Sequence, residues 1–239
     1  MIPLQADEAD DPTRALPIAT IGIVVLNVLV FLYEMSLTDP QLNAFINAWS
    51  LVPCEFARQC AVYPGTPSPF WLTLFSSMFL HASWDHILGN MLFLAVFGMH
   101  VERAMGAGRY LLFYLVCGIA ASAAEILTSA GSNVPGLGAS GAIAGVLAAY
   151  LVLYPGSRVR SLIPLGFVYR VASIPAWVFI GLWFLLQLAD GAMSLSDTTG
   201  GGVAYSAHIG GFLAGLLLVR LFSQPMQTAQ MQAYHQQWT

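Results

Sequence analysis

Residues 17–35 read PIATIGIVVLNVLVFLYEM. A run this long and this apolar has a natural solvent in the lipid bilayer, whose hydrocarbon core is crossed by roughly 20 helical residues. The remainder of the chain is written in the same alphabet. Of its 239 residues, 57% are hydrophobic and only 8% are charged, whereas soluble domains carry about 25% charged residues. A water-facing surface could not be covered from this composition.

Five further apolar segments follow, at about 82–101, 109–129, 140–155, 171–188 and 203–222. Each is near spanning length, although the fourth is short and stops at Pro155. Segments that cross lipid must be helical, because hydrocarbon offers the backbone no hydrogen-bond partners. The expected fold class is therefore all-α: a polytopic membrane protein with a bundle of six transmembrane helices. Residues 17–222 form this domain, between a cytoplasmic tail at 1–16 and a second at 223–239. The first tail, MIPLQADEADDPTRAL, is polar and acidic and lacks the basic start and cleavage site of a signal peptide. The second, SQPMQTAQMQAYHQQWT, is Gln-rich and aperiodic. Both read as disordered.

Two long connections interrupt the helices. The loop at about 36–80 is rich in Pro and aromatics, and its Phe70, Trp71 and Phe75 suit a membrane interface. The loop at about 190–202 ends in three consecutive glycines and is expected to be mobile. Orientation follows from the arginines. With the N-terminus inside, Arg14, Arg103, Arg109, Arg158, Arg160, Arg170 and Arg220 face the cytoplasm, and only Arg58 lies outside. This asymmetry obeys the positive-inside rule. The net charge of -4 and the absence of a basic run argue against a nucleic-acid binder. Cys117 sits in an apolar segment and reads as a packing residue. Cys54 and Cys60 share a loop, as a disulfide if that loop is extracytoplasmic or else as two free thiols.

Several polar residues within the spans fall at one depth. On this topology His81, His86 and Asn90 lie at the outer end of span two, Ser140 opens span four, and His208 lies early in span six. At about 1.5 Å of rise per residue, His86, Asn90, Ser140 and His208 share the outer third of the membrane. Singly, each has a plain explanation: a helix cap for Ser140, a backbone contact for His208, an interhelical bond for Asn90. Intramembrane polar groups are costly, however, and several at one depth favour a functional site. Gly141 and Gly145 in span four, and Gly211 and Gly215 in span six, make GxxxG faces that permit close helix approach. His208 shares the face of Gly211.

Such an approach would bring Ser140 to His208. Serine becomes a nucleophile when a base takes its proton, and histidine is the usual base near neutral pH. Acyl transfer also needs donors for an oxyanion. His86 and Asn90, four residues apart on one helix face, and the Ser140 backbone N–H can supply them. No third residue orients the histidine in this reading. Asp85 points away around the helix, and Asp190 and Asp197 lie in the mobile loop.

These residues resemble the rhomboid family of intramembrane serine proteases. The resemblance rests on Gly138-Ala139-Ser140-Gly141, on the ordered set His81, His86 and Asn90, and on Ala207-His208 followed by Gly211. Glu102-Arg103 with Gly106 also matches a family element, and the likeness covers about residues 17–222. It implies Ser140 as nucleophile, His208 as general base, His86 and Asn90 as oxyanion stabilisers, and His81 as a structural residue. Gly138, Gly141 and Gly211 belong to the surrounding frame. It further implies cleavage of single-span membrane proteins in or near their helices, with no metal and no cofactor. The expected setting is the lipid bilayer of a bacterial plasma membrane, with both termini cytoplasmic and the active site toward the outside. Where some family members carry an aromatic packed on the histidine, four residues after the serine, this chain has Ala144.

Three rival readings fit these residues less well. An inactive relative that escorts membrane proteins would lack the serine or the histidine. A transporter needs polar residues continuing inward, yet span four after Ser140 reads GAIAGVLAAYLVLY and is apolar until Tyr150. A metal site built from His81, His86 and His208 would be accompanied in a zinc protease by HExxH, which is absent. Glu125 reads as snorkelling to the interface.

Overall fold

The computed structural model describes residues 1–6, 16–165, 168–194 and 205–224. Helix α1 (Ile18–Ser36) is the first apolar run. No side chain of its own caps it. Instead the Glu102 carboxylate accepts from the Ala19 and Thr20 backbone N–H groups at 2.9 and 2.7 Å, and from the Thr20 hydroxyl at 2.7 Å. A carboxylate here satisfies first-turn donors and complements the helix dipole.

The connection that follows is more structured than a loop. Helix α2 (Asp39–Trp49) starts at a Thr38–Gln41 capping box, which satisfies end groups reciprocally. Short helices α3 (Pro53–Phe56) and α4 (Thr73–Ser76) lead toward the second span. Cys54 and Cys60 are joined as a disulfide. Thiol alkylation should therefore modify no cysteine of this pair in the oxidised protein and both after reduction, read as a mass shift. Two alkylated thiols without reductant would contradict the bond.

Span two is continuous through α5 (Trp84–Phe93), a π-helical turn at Leu94–Gly98, and α6 (Met99–Met105). Gly106, at φ 82°, turns the chain into α7 (Ala107–Thr128). Helix α8 (Ser140–Leu153) is the centre of the bundle, and every residue from Gly141 to Tyr150 is buried. A helix that is apolar all round is a core helix. Its burial among other helices is compatible with its 14 residues, well short of a full span.

Three expectations are corrected outside the central helices. Residues expected to begin span five lie instead in a hairpin, β2 (Arg158–Leu165) and β3 (Val168–Pro175), and α9 (Ala176–Ser194) starts later. Alternating Arg158-Val159-Arg160 and the β-branched Val168 and Val171 suit an antiparallel pair better than a helix. Residues 2–6, expected in a disordered tail, form β1 (Ile2–Ala6) and pair with β2 in the sheet order β1-β2-β3. Burial of Ala6 and Val159 accompanies this pairing. The loop expected to start near residue 190 also starts later, since α9 extends to Ser194. Its glycines, Asp197 and the end of the C-terminal tail lie outside the described residues.

The last helix, α10 (Tyr205–Phe222), packs on α7 and α8. Among the described residues, four helices are long and apolar enough to cross a membrane: Ile18–Ser36, Trp84–Met105, Ala107–Thr128 and Tyr205–Phe222. Ser140–Leu153 and Ala176–Ala189 are shorter apolar helices. The chain is a mostly helical, multi-pass integral membrane protein.

Candidate active site

The α8–α10 seam sets the site. A Cβ built on Gly211 would stand under 3.0 Å from the Gly141 carbonyl oxygen, and one on Gly215 would be as close to that of Gly145. Only glycine permits backbones this close. The seam places Ser140 Oγ and His208 Nε2 2.7 Å apart, a hydrogen-bond distance. Ser140 is the first residue of α8, and the cap position is Ala139 with no side-chain cap bond. The hydroxyl is thus not used in capping and is directed to the histidine.

A second group converges from α5. Ser83 caps this helix by accepting from the His86 backbone N–H at 3.2 Å, while Asp85 is exposed in the first turn. A Cβ on Gly138 would meet the His86 ring at 2.7 Å and the Asn90 amide nitrogen at 3.7 Å. Gly138, at φ 117°, therefore serves twice: it adopts a left-handed backbone and leaves room for both side chains. Its N–H donates to the Ser77 carbonyl at 2.8 Å, which anchors the loop before Ser140.

Asn90 Nδ2 donates to His81 Nε2 at 3.0 Å. His81 is buried beside His86, with ring centroids 5.1 Å apart, and its bare Nε2 accepts from Asn90. The His81 backbone N–H reaches both Glu34 carboxylate oxygens at 3.3 Å, tying this corner to α1. All four expected polar residues, with His81 behind them, thus gather around the start of α8.

The structure adds residues that the sequence reading did not assign. The ring of His208 is flanked by Trp183 from α9, with centroids 5.9 Å apart, and by Tyr205 at 6.4 Å. Ala144, four residues after the serine, supplies no aromatic. Gln187 Oε1 meets His208 Nδ1. The signal was available: Gln187 is the lone polar residue in AWVFIGLWFLLQL, and Trp183 lies four residues before it, hence on the same face. The Glu125 carboxylate accepts from the Ser206 hydroxyl, between α7 and α10. Glu125 also lines a pocket beside Ser140 with Ser77, Ser122, Gly138 and Ala207.

Comparison with known proteins bears on this arrangement. The family model described as "Rhomboid domain" matches residues 69–225. The Rhomboid protease GluP of Bacillus subtilis (strain 168) is 34% identical over 155 residues, covering 65% of this chain and 27% of that protein. The Rhomboid protease AarA of Providencia stuartii is 27% identical over 216 residues, covering 83% and 70%. Rhomboid-like protein 11, chloroplastic, of Arabidopsis thaliana is 30% identical over 164 residues, covering 65% and 54%. The chain thus spans about half of that plant relative and about a quarter of GluP. With the matched segment holding both Ser140 and His208, the chain belongs to the rhomboid family.

Proposed function

We propose that this chain is an intramembrane serine endopeptidase that cuts single-span membrane proteins in or near their transmembrane segments, using Ser140 and His208 as a dyad. The observation that carries the reading is the 2.7 Å contact between Ser140 Oγ and His208 Nε2, made by two helices that glycines hold in contact. Family membership and the two relatives named as rhomboid proteases support the same activity.

The chemistry follows from the geometry. His208 Nε2 accepts the hydroxyl proton as Ser140 Oγ bonds to the scissile carbonyl carbon. The resulting oxyanion faces the donors gathered at Gly138: the Asn90 amide, the His86 ring and the Ser140 backbone N–H. His208 then returns the proton to the leaving amine as the C–N bond breaks. Water, deprotonated by His208, releases the acyl group and restores Ser140. Asn90→Ala is expected to lower kcat by about 10² to 10³-fold, as for one oxyanion donor, with KM little changed. An unaltered kcat would remove Asn90 from this role.

In the same reading, residues 17–222 form six spans: the four long helices with α8 and α9. The membrane is a bacterial plasma membrane, and residues 223–239 are cytoplasmic, whereas Met1–Pro3 line a pocket with Asp85 and Gly89 toward the outer end of span two. The arginine distribution supports this orientation. So does the disulfide: Cys54 N–H donates to the Ser132 carbonyl at 2.9 Å, so the bond lies at the end of the bundle where the Ser140 loop sits, and such bonds persist in oxidising compartments. The direct test is labelling of purified protein by a fluorophosphonate, which needs no known substrate. Labelling that disappears in Ser140→Ala and His208→Ala supports the dyad. Labelling that persists in either variant refutes it.

A further inference from the structure

We infer that Gln187 is the positioning residue for His208, accepting its Nδ1 proton and so holding the imidazole in the tautomer that the reaction requires. This rests on the Ser140–His208 reading above.

A neutral imidazole carries one N–H and one bare nitrogen. To take the Ser140 proton, Nε2 must be bare, so the proton must sit on Nδ1. An Nδ1–H buried in a membrane protein needs an acceptor, since an unpaired donor there costs free energy. Gln187 Oε1 is the atom that meets it. His208 is only 7% exposed, so water is poorly placed to substitute.

The helix contacts around this pair set its register. Phe184 of α9 stacks on Phe212 of α10 with centroids 4.2 Å apart and an interplanar angle of 22°. Phe184 lies three residues before Gln187, and Phe212 lies four after His208, so both pairs use the same two faces. Trp183 flanks the ring from the same helix. The stack and the indole hold α9 against α10, and Gln187 completes the contact with the one polar group α9 offers there. An amide suits this place better than a carboxylate would. It accepts the Nδ1 proton without placing a further charge inside the membrane. When His208 becomes an imidazolium during turnover, Gln187 still satisfies Nδ1–H while Nε2–H faces the reacting oxygen.

The experiment compares full-length wild type, Gln187→Leu, Gln187→Glu and Ser140→Ala on a single-span test substrate. Histidine-15N spectra of the purified proteins report the tautomer, and thermal unfolding reports the fold. Gln187→Leu removes the acceptor at similar size. It is expected to lower kcat by about 10- to 10²-fold, the range for a lost hydrogen bond to a charged partner, with KM within about twofold. Its spectrum should lose the pure Nδ1–H pattern of His208. Gln187→Glu keeps an acceptor oxygen, at the cost of a charge, and should recover part of that loss. Wild-type kcat in Gln187→Leu, or an equal loss in Gln187→Glu, overturns the inference, because either result leaves only packing at this position. If wild type neither cleaves nor reacts with a fluorophosphonate, the dyad reading fails and Gln187 falls with it. If wild type is active and Ser140→Ala is not, a normal Gln187→Leu sinks the Gln187 role alone.

Discussion

Ser140→Ala is expected to lower kcat on a single-span substrate by about 10⁴ to 10⁶-fold, the range for loss of a serine nucleophile. The protein should remain folded, because Ser140 caps no helix and its hydroxyl bonds to His208 and not to the backbone of a helix end. His208→Ala should fall in the same range. The double variant should be no worse than either single one, since a nucleophile and its base act as a unit. Cleavage rates from reconstituted vesicles, beside unfolding temperatures, provide the check. Separate, multiplying losses would mean that the two residues serve different steps. Residual activity near wild type in either variant would end the dyad reading.

Gly211→Ala should be the most damaging substitution away from the reacting atoms. The new methyl would sit under 3.0 Å from the Gly141 carbonyl oxygen, and neither backbone can yield without moving its helix. Overpacking of a core costs about 1–3 kcal/mol, occasionally more, and a backbone clash belongs at the upper end. The effect on activity should exceed what the stability loss explains. Pushing α10 from α8 lengthens the Ser140–His208 contact, and a displacement of about 1 Å can cost 10²-fold in rate. A lower unfolding temperature together with a kcat loss of at least that size is the expected result. A variant with normal stability and normal kcat would show that the seam is not close-packed.

Much of the site was legible because depth in a membrane can be counted along a helix. Ser140, His86, Asn90 and His208 each lie near the start of an apolar segment, and a fixed rise per residue puts them in one layer. The GxxxG faces then named the two helices able to touch. Gln187 escaped because counting yields height and not rotation. It sits near the end of the fifth apolar segment, and nothing local shows which neighbour its helix face meets. The same limit hid Trp183 and the Glu125–Ser206 contact. Strand β1 escaped for another reason: Ile2 pairs with Leu162, and a link between residues that far apart leaves no trace in a short window.

The sequence by itself determined the solvent of this protein, the position of most of its helices, and the candidate residues of its site. Composition and apolar run length settle the first two, because the bilayer admits few alternatives to helices. Only the tertiary structure decided which side chains meet across helices, that α8 can be short because its neighbours surround it, and that the N-terminal strand and the β2–β3 hairpin form a sheet. Those outcomes depend on helix rotation and long-range pairing, which are properties of packed surfaces and not of any one segment.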